Sequence, residues 1–215
     1  MKTFNIKIVF PTLLLAALVG FTGCKKYLDT NDNPNLSPNG SIPLLLPSAQ
    51  AAIAHVIGNP FQIHGGMWAQ FWTQNPVSSQ YRSVDQYSVT TTDFDRPWRM
   101  LYSDALQDIQ EILILANNQP QFDQYRAIAY LMRAYAFQIA TDAFGDVPLT
   151  EANNPENTNP AYIPQQQVYD SIIALVDRAI DLIDPDADVH PSTDDLIFGA
   201  IWRSEERRVG KECRS

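Results

Sequence analysis

Apolar residues return every three or four positions along several stretches of this chain, and no stretch alternates strictly between apolar and polar. Leu45, Ala49, Ala52, Ile53 and Val56 share one face of a helix predicted over residues 44–57, with Pro47 near its start, where a helix tolerates proline. A second apolar stretch covers residues 61–72. After a loop rich in Ser, Thr and Tyr at 78–92, the stripe Trp98, Leu101, Tyr102, Ala105, Ile109, Ile112 and Leu113 predicts another helix. Asp93 or Asp95 is its expected N-cap, and it should end near Asn117, before Pro120. The clearest pattern is Tyr125, Ile128, Ala129, Met132, Tyr135, Ala136, Ile139 and Ala143, which recurs over roughly five turns. Gly145 is placed to give that helix a left-handed cap, and Pro148 blocks its continuation. A loop rich in Asn and Pro, residues 145–165, leads to the last stripe, Val168, Ile172, Leu175, Val176, Ala179, Ile180 and Ile183, which ends before Pro185.

A short connection between the helices ending near Asn117 and starting near Tyr125 makes them antiparallel neighbours. The predicted fold class is therefore all-α, built from stacked helical hairpins. Ala140 followed by Phe144 fits the small-then-aromatic spacing of a tetratricopeptide-like scaffold. Arrays of that kind need about three units for stability, and a single hairpin is complete here.

The first 40 residues follow a different logic. Lys2 and Lys7 precede an apolar run over residues 8–19, far short of the roughly 20 residues that span a bilayer. That is the form of a secretion signal, assigned to residues 1–23. Small residues at Thr22 and Gly23 admit a signal peptidase, and Cys24 follows directly. "FTGC" resembles the bacterial lipoprotein consensus of leucine, small residue, glycine and cysteine, with Phe21 departing from the leucine. The resemblance implies that Cys24 becomes an acylated first residue. Several acyl chains, at about 0.8 kcal/mol per buried CH₂, hold a domain on a membrane stably. No transmembrane helix is then expected in the mature chain. Residues 24–40 are dense in Asn, Asp, Pro, Ser and Gly and read as a flexible tether.

Composition narrows the functional classes. The 215 residues are 45% hydrophobic and 11% aromatic, enough for one domain core or part of a larger one. The formal charge is −9, but residues 25–202 carry 8 Lys and Arg against 21 Asp and Glu, a net −13. Such a body repels phosphate backbones, which argues against nucleic acid as a partner. Cys24 and Cys213 are the whole cysteine inventory, so neither a disulfide framework nor a cysteine metal cluster is predicted. The tail 203–215, "RSEERRVGKECRS", turns abruptly basic and resembles the translation of a sequencing adapter, an artefact outside the fold. "LIFGAIW", residues 196–202, precedes it with nothing beyond to pack against. The expected organisation is a helical domain over residues 41–202, the N-terminal part of a longer protein.

The lipidation signature, "YLDTNDNPN" at residues 27–35 and "YLMRAYAFQIATDAFGDVPLTEA" at 130–152 together resemble the SusD/RagB family of nutrient-binding outer-membrane lipoproteins. The resemblance covers roughly residues 15–202. It implies a tetratricopeptide-like scaffold at the cell surface that caps a SusC-type TonB-dependent transporter and delivers a glycan, peptide or other nutrient. It implies neither catalysis nor a cofactor. Asp142 and Asp146 in "TDAFGDVP" fit turn chemistry; no third ligand accompanies them for a metal.

Sugar binders use flat aromatic rings flanked by amides or carboxylates. His64, Trp68 and Trp72 stand at i, i+4 and i+8, and the following loop offers Gln74, Asn75, Gln80, Tyr81, Arg82 and Tyr87. Trp72 and Tyr81 are the candidate ligand contacts. His64 has no His or Cys companion for a metal, and Trp98 reads as a packing residue. Two other functional classes remain open at this point: a lipid-anchored glycoside hydrolase with carboxylates partly outside this segment, and a helical adaptor without a small ligand.

Overall fold

The computed structural model describes residues 40–197, apart from residues 155, 158 and 185. The leader, Cys24, the tether up to residue 39, residues 198–202 and the basic tail lie outside the described residues.

Two stretches that the sequence separates form one rod. Helix α1 (Ile42–Val56) runs through a π-helical turn (Ile57–Phe61) into α2 (Gln62–Trp68). Pro60 lacks an N–H, and its ring crowds the preceding turn; widening that turn to π geometry absorbs both defects without ending the helix. By length and composition this 27-residue rod is apolar enough to cross a bilayer. Leu46, Ala49, Ile53 and Val56 on it are instead buried in the core shared with the other helices.

After the short α3 (Arg82–Asp85), a second rod comprises α4 (Asp95–Arg99), a π-helical segment (Met100–Ala105) and α5 (Leu106–Leu115). Neither expected N-cap forms. Asp95 is already the first helical residue, and Asp93 Oδ2 accepts the Thr90 N–H at 2.7 Å, which closes the preceding turn. The predicted stripe is otherwise the core itself: Leu101, Ala105, Ile109 and Ile112 are fully buried. A 3₁₀ turn at Pro120–Phe122 leads into α6 (Asp123–Phe144), and α7 (Gln165–Leu182) follows the long loop.

Helices α6 and α7 pack antiparallel, tied at both ends by glutamines. Gln124 Nε2, at the start of α6, donates to the carbonyl of Leu182 at 3.0 Å. Gln165 Nε2, at the start of α7, donates to the carbonyl of Thr141 at 2.9 Å. The loop between them is closed at its base by a minimal antiparallel pair, β1 (Val147–Pro148) and β2 (Tyr162–Ile163), with Val147 opposite Ile163 and Pro148 opposite Tyr162. The all-α prediction holds: helices pack on helices, and Ala140, small and fully buried, occupies its expected place in the stack.

Two local expectations need correction. Gly145 has the positive φ of 78°, but its ψ of −120° lies outside the left-handed helical basin, in a region that glycine alone enters freely. Ile180 and Ile183, assigned to the core stripe of α7, are 59% and 39% exposed. Helix α7 rests on α6 along Val168, Ile172, Leu175 and Ala179, and the flank carrying Ile173, Ile180 and Ile183 faces outward.

Candidate functional site

The first rod stops at Trp68, and the chain turns through Gln70, whose φ is 60°. Trp72 therefore does not continue the helical face of His64 and Trp68. Its indole folds back over the rod: a Cβ placed on Gly66 would fall 2.5 Å from the ring, so glycine is needed for that approach. Trp68 is fixed by its Nε1–H, which donates to the Val84 carbonyl at 3.0 Å, and the Tyr87 hydroxyl donates to the Trp68 carbonyl at 3.1 Å.

From there an aromatic belt crosses the protein. Tyr87 stacks on Trp68, with centroids 6.2 Å apart. His64 meets Trp68 edge-on at 5.4 Å and Phe94 at 4.8 Å, its Nδ1–H held on the Pro60 carbonyl at 2.6 Å. Phe94 abuts Phe144 at 6.3 Å, and Phe144 is edge-on to Trp98 at 5.0 Å. Trp98 stacks on Tyr102 at 4.5 Å and lies within 14° of parallel to Tyr162 at 6.2 Å.

Two clefts open along this belt. The first, about 540 Å³, is lined by His64, Trp68, Phe94, Tyr135, Gln138 and Asp142, among others. The second, about 550 Å³, is lined by Trp98, Tyr102, Gln107, Asn153, Asn159 and Tyr162, among others. Tyr162 is 63% exposed, presenting a ring that β2 fixes through its backbone. Asn153 is held at a φ of 60°, and its Nδ2 donates to the Tyr102 carbonyl at 2.6 Å and to Gln107 Oε1 at 3.2 Å. Its Oδ1 is buried and has no hydrogen-bond partner among the described residues. Burial, and secondarily the neighbouring Tyr162, pushes the Tyr102 hydroxyl far above the usual phenol range. It stays protonated and donates to the Pro148 carbonyl at 2.9 Å.

The second cleft is therefore a flat aromatic platform rimmed by amides and hydroxyls. Its geometry suits the apolar C–H face and the hydroxyl edge of a sugar ring.

The sequence-derived candidates distribute unevenly over this geometry. His64 and Trp68 meet in the first cleft. Neither Trp72 nor Tyr81 lines either aromatic cleft. Trp72 is 48% exposed on the rod. Tyr81 is half-buried, with its backbone N–H donating to Gln74 Oε1 and its hydroxyl accepting from Gln80 Nε2 at 2.9 Å. The amides of Gln74 and Asn75 likewise turn inward, onto the Ser78 carbonyl and the Val77 N–H, and brace their own loop. Trp98 packs on Phe144, as a packing residue should, and also presents its ring to the second cleft. Tyr102 was read from the sequence only as part of a core stripe, and Asn153 and Tyr162 went unnoticed. The one available signal was an aromatic in a polar loop, the argument that pointed to Tyr81. Asp142 and Asp146 anchor the start of α7, accepting the Tyr169 hydroxyl and the Gln165 N–H.

The family described as "Starch-binding associating with outer membrane", SusD-like in type, matches residues 34–203. The chain belongs to this SusD-like family. Twelve chains of solved structures resemble it. One, a chitin-binding protein, aligns at a TM-score of 0.56 and 22% identity, covering 71% of this chain and 34% of its own. That likeness is one of fold. The SusD-like chain spans about a third of the length of that structure. No curated protein matches the sequence.

Proposed function

We propose that this SusD-like chain is the glycan-recognising part of an outer-membrane lipoprotein that hands a nutrient to a SusC-type TonB-dependent transporter. The observation that carries the reading is the Trp98–Tyr162 platform with Asn153 fixed at its edge. A sugar laid on these rings gains apolar contact, and the exposed amides of Gln107 and Asn159 on the rim take its hydroxyls. The described lining of this cleft holds no Asp or Glu, whereas a glycosidase places a pair of carboxylates across the bond it cleaves. Binding without cleavage is part of the same proposal. Trp72 and Tyr81 are proposed as outer contacts for a longer ligand, on the exposed loop side of the belt.

The anchor belongs to the same proposal. Residues 1–23 direct export, Cys24 is acylated, residues 24–40 hold the helical domain off the bilayer, and residues 203–215 lie outside the domain.

The deciding experiment titrates the full chain with malto- and chito-oligosaccharides by calorimetry. At least one series should bind, Trp98→Ala or Tyr162→Ala should weaken it at least tenfold, and the sugar should be recovered intact. Wild-type affinity in the doubly substituted protein sinks the cleft assignment, and released reducing ends would make the protein a hydrolase. Labelled palmitate should enter the wild-type chain in cells and fail to enter Cys24→Ser; equal labelling of both removes the anchor.

A further inference from the structure

A third groove, about 570 Å³, lies where α5, α6 and α7 meet and shares no lining residue with the two aromatic clefts. Arg133 and Arg178 both line it, together with Tyr130, Gln110, Ser171 and Thr150. Its apolar floor comes from Leu113, Leu149 and Leu175.

Among the described residues neither arginine makes an ion pair; the only one there is Arg126 with Asp123, at 2.7 Å. Arg133 is half-buried, and one of the five N–H donors of its guanidinium is used, on Gln110 Oε1. The face of the guanidinium lies 5.6 Å from the centre of the Phe137 ring, which steadies it without neutralising it. Burial holds its pKa below the usual guanidinium range. Arg178 is exposed one side of the groove away, on α7. In a body with 21 acidic residues to 8 basic ones, two arginines that share a groove with no Asp or Glu in its described lining stand out. A desolvated, forked donor set of this kind is complementary to an oxyanion.

We propose that this groove binds the oxyanion of an acidic sugar, a carboxylate or a sulfate, as a subsite separate from the Trp98 cleft. The proposal rests on the glycan-binding reading of the chain. Arg133 and Arg178 take the oxyanion, the hydroxyls of Tyr130 and Ser171 take the sugar's own hydroxyls, and the leucine floor meets its C–H face.

The test uses the full chain and three hexasaccharide probes: oligogalacturonate, a sulfated oligogalactan and neutral maltohexaose. At least one acidic probe should bind. Arg178→Gln and Arg133→Gln should each weaken it at least tenfold, and Arg133→Lys should restore only part, because an ammonium cannot fork onto two oxygens. Whichever acidic probe shows this dependence names the oxyanion. Trp98→Ala should weaken maltohexaose and leave the arginine dependence of the acidic probe unchanged. Arg178 is exposed, so its substitution tests the site even where Arg133→Gln misfolds. Wild-type affinity for the acidic probe in Arg178→Gln, with unchanged circular dichroism, overturns the inference. So does binding of maltohexaose with no binding of either acidic probe, a result that leaves the Trp98 cleft standing. Binding of an acidic probe without maltohexaose keeps this groove and leaves the cleft to be judged on the chito-oligosaccharide series.

Discussion

Gly145 shows how one residue sets the exit of the longest helix. Its N–H donates to the Thr141 carbonyl at 2.8 Å, and the Thr141 hydroxyl returns a bond to the Gly145 carbonyl at 2.7 Å. A Cβ at Gly145 would meet nothing within 4 Å, so the penalty of a side chain is purely conformational. Gly145→Ala should destabilise the protein by about 1–3 kcal/mol, read as a lower urea midpoint with an unchanged slope. Asp194 carries the clearest pH sensitivity. Burial would raise its pKa, but the Ser192 backbone N–H and the neighbouring Tyr125 hydroxyl outweigh it and hold the carboxyl below its usual range. A group depressed in the folded state stabilises above its unfolded value and loses that contribution as pH falls through the folded one. Amide exchange in residues 192–197 should therefore quicken below about pH 4, near the unfolded carboxyl value, and Asp194→Asn should abolish that step.

At the scale of elements, α7 divides its apolar residues between two fates. Val168 and Ala179 are buried against α6, while Ile173 and Ile180 are 60% and 59% exposed. Periodicity alone placed Ile180 with the buried set, because a stripe wider than the contact it makes looks the same in sequence. Ile180→Glu should shift stability by no more than about 0.5 kcal/mol, whereas Val168→Ala should cost roughly 1–3 kcal/mol in thermal unfolding. The π turn at Ile57–Phe61 was equally hidden. Proline in a helical pattern signals a break, and only the packing of residues on both sides keeps the rod whole through Pro60.

Across the whole molecule, the last described segment folds back onto the first helix. Gln50, 2% exposed on α1, donates to Asp195 Oδ1 at 2.8 Å and accepts the Leu196 N–H at 2.7 Å. Gln50→Leu removes both bonds at a buried site and should cost about 1–3 kcal/mol, with faster proteolysis between residues 186 and 197. The first rod, apolar enough for a bilayer by length and composition, is likewise held in the fold, because the apolar face of α1 is occupied by the other helices. The belt from Tyr87 to Tyr162 is a property of this scale too, since its rings come from both rods, the segment between them, α6 and β2, more than 70 positions apart at its extremes.

The amino-acid sequence by itself determined the helices of the core. Their three- and four-residue periods place Ile53, Ile109, Met132 and Val168 on buried faces, although packing buries Leu46 where the period named Leu45, and the turn at Gly145 and Pro148 is local chemistry. The motifs around "FTGC" and "TDAFGDVP" were also enough to point to the family. Tertiary structure alone decided the candidate sites. Trp98, Asn153 and Tyr162 converge because β1 and β2 close a loop whose length carries no record of where its ends meet. Arg133 and Arg178 share a groove because α6 and α7 run antiparallel. Side chains that meet across long separations leave no period in the sequence, so only packing reveals them.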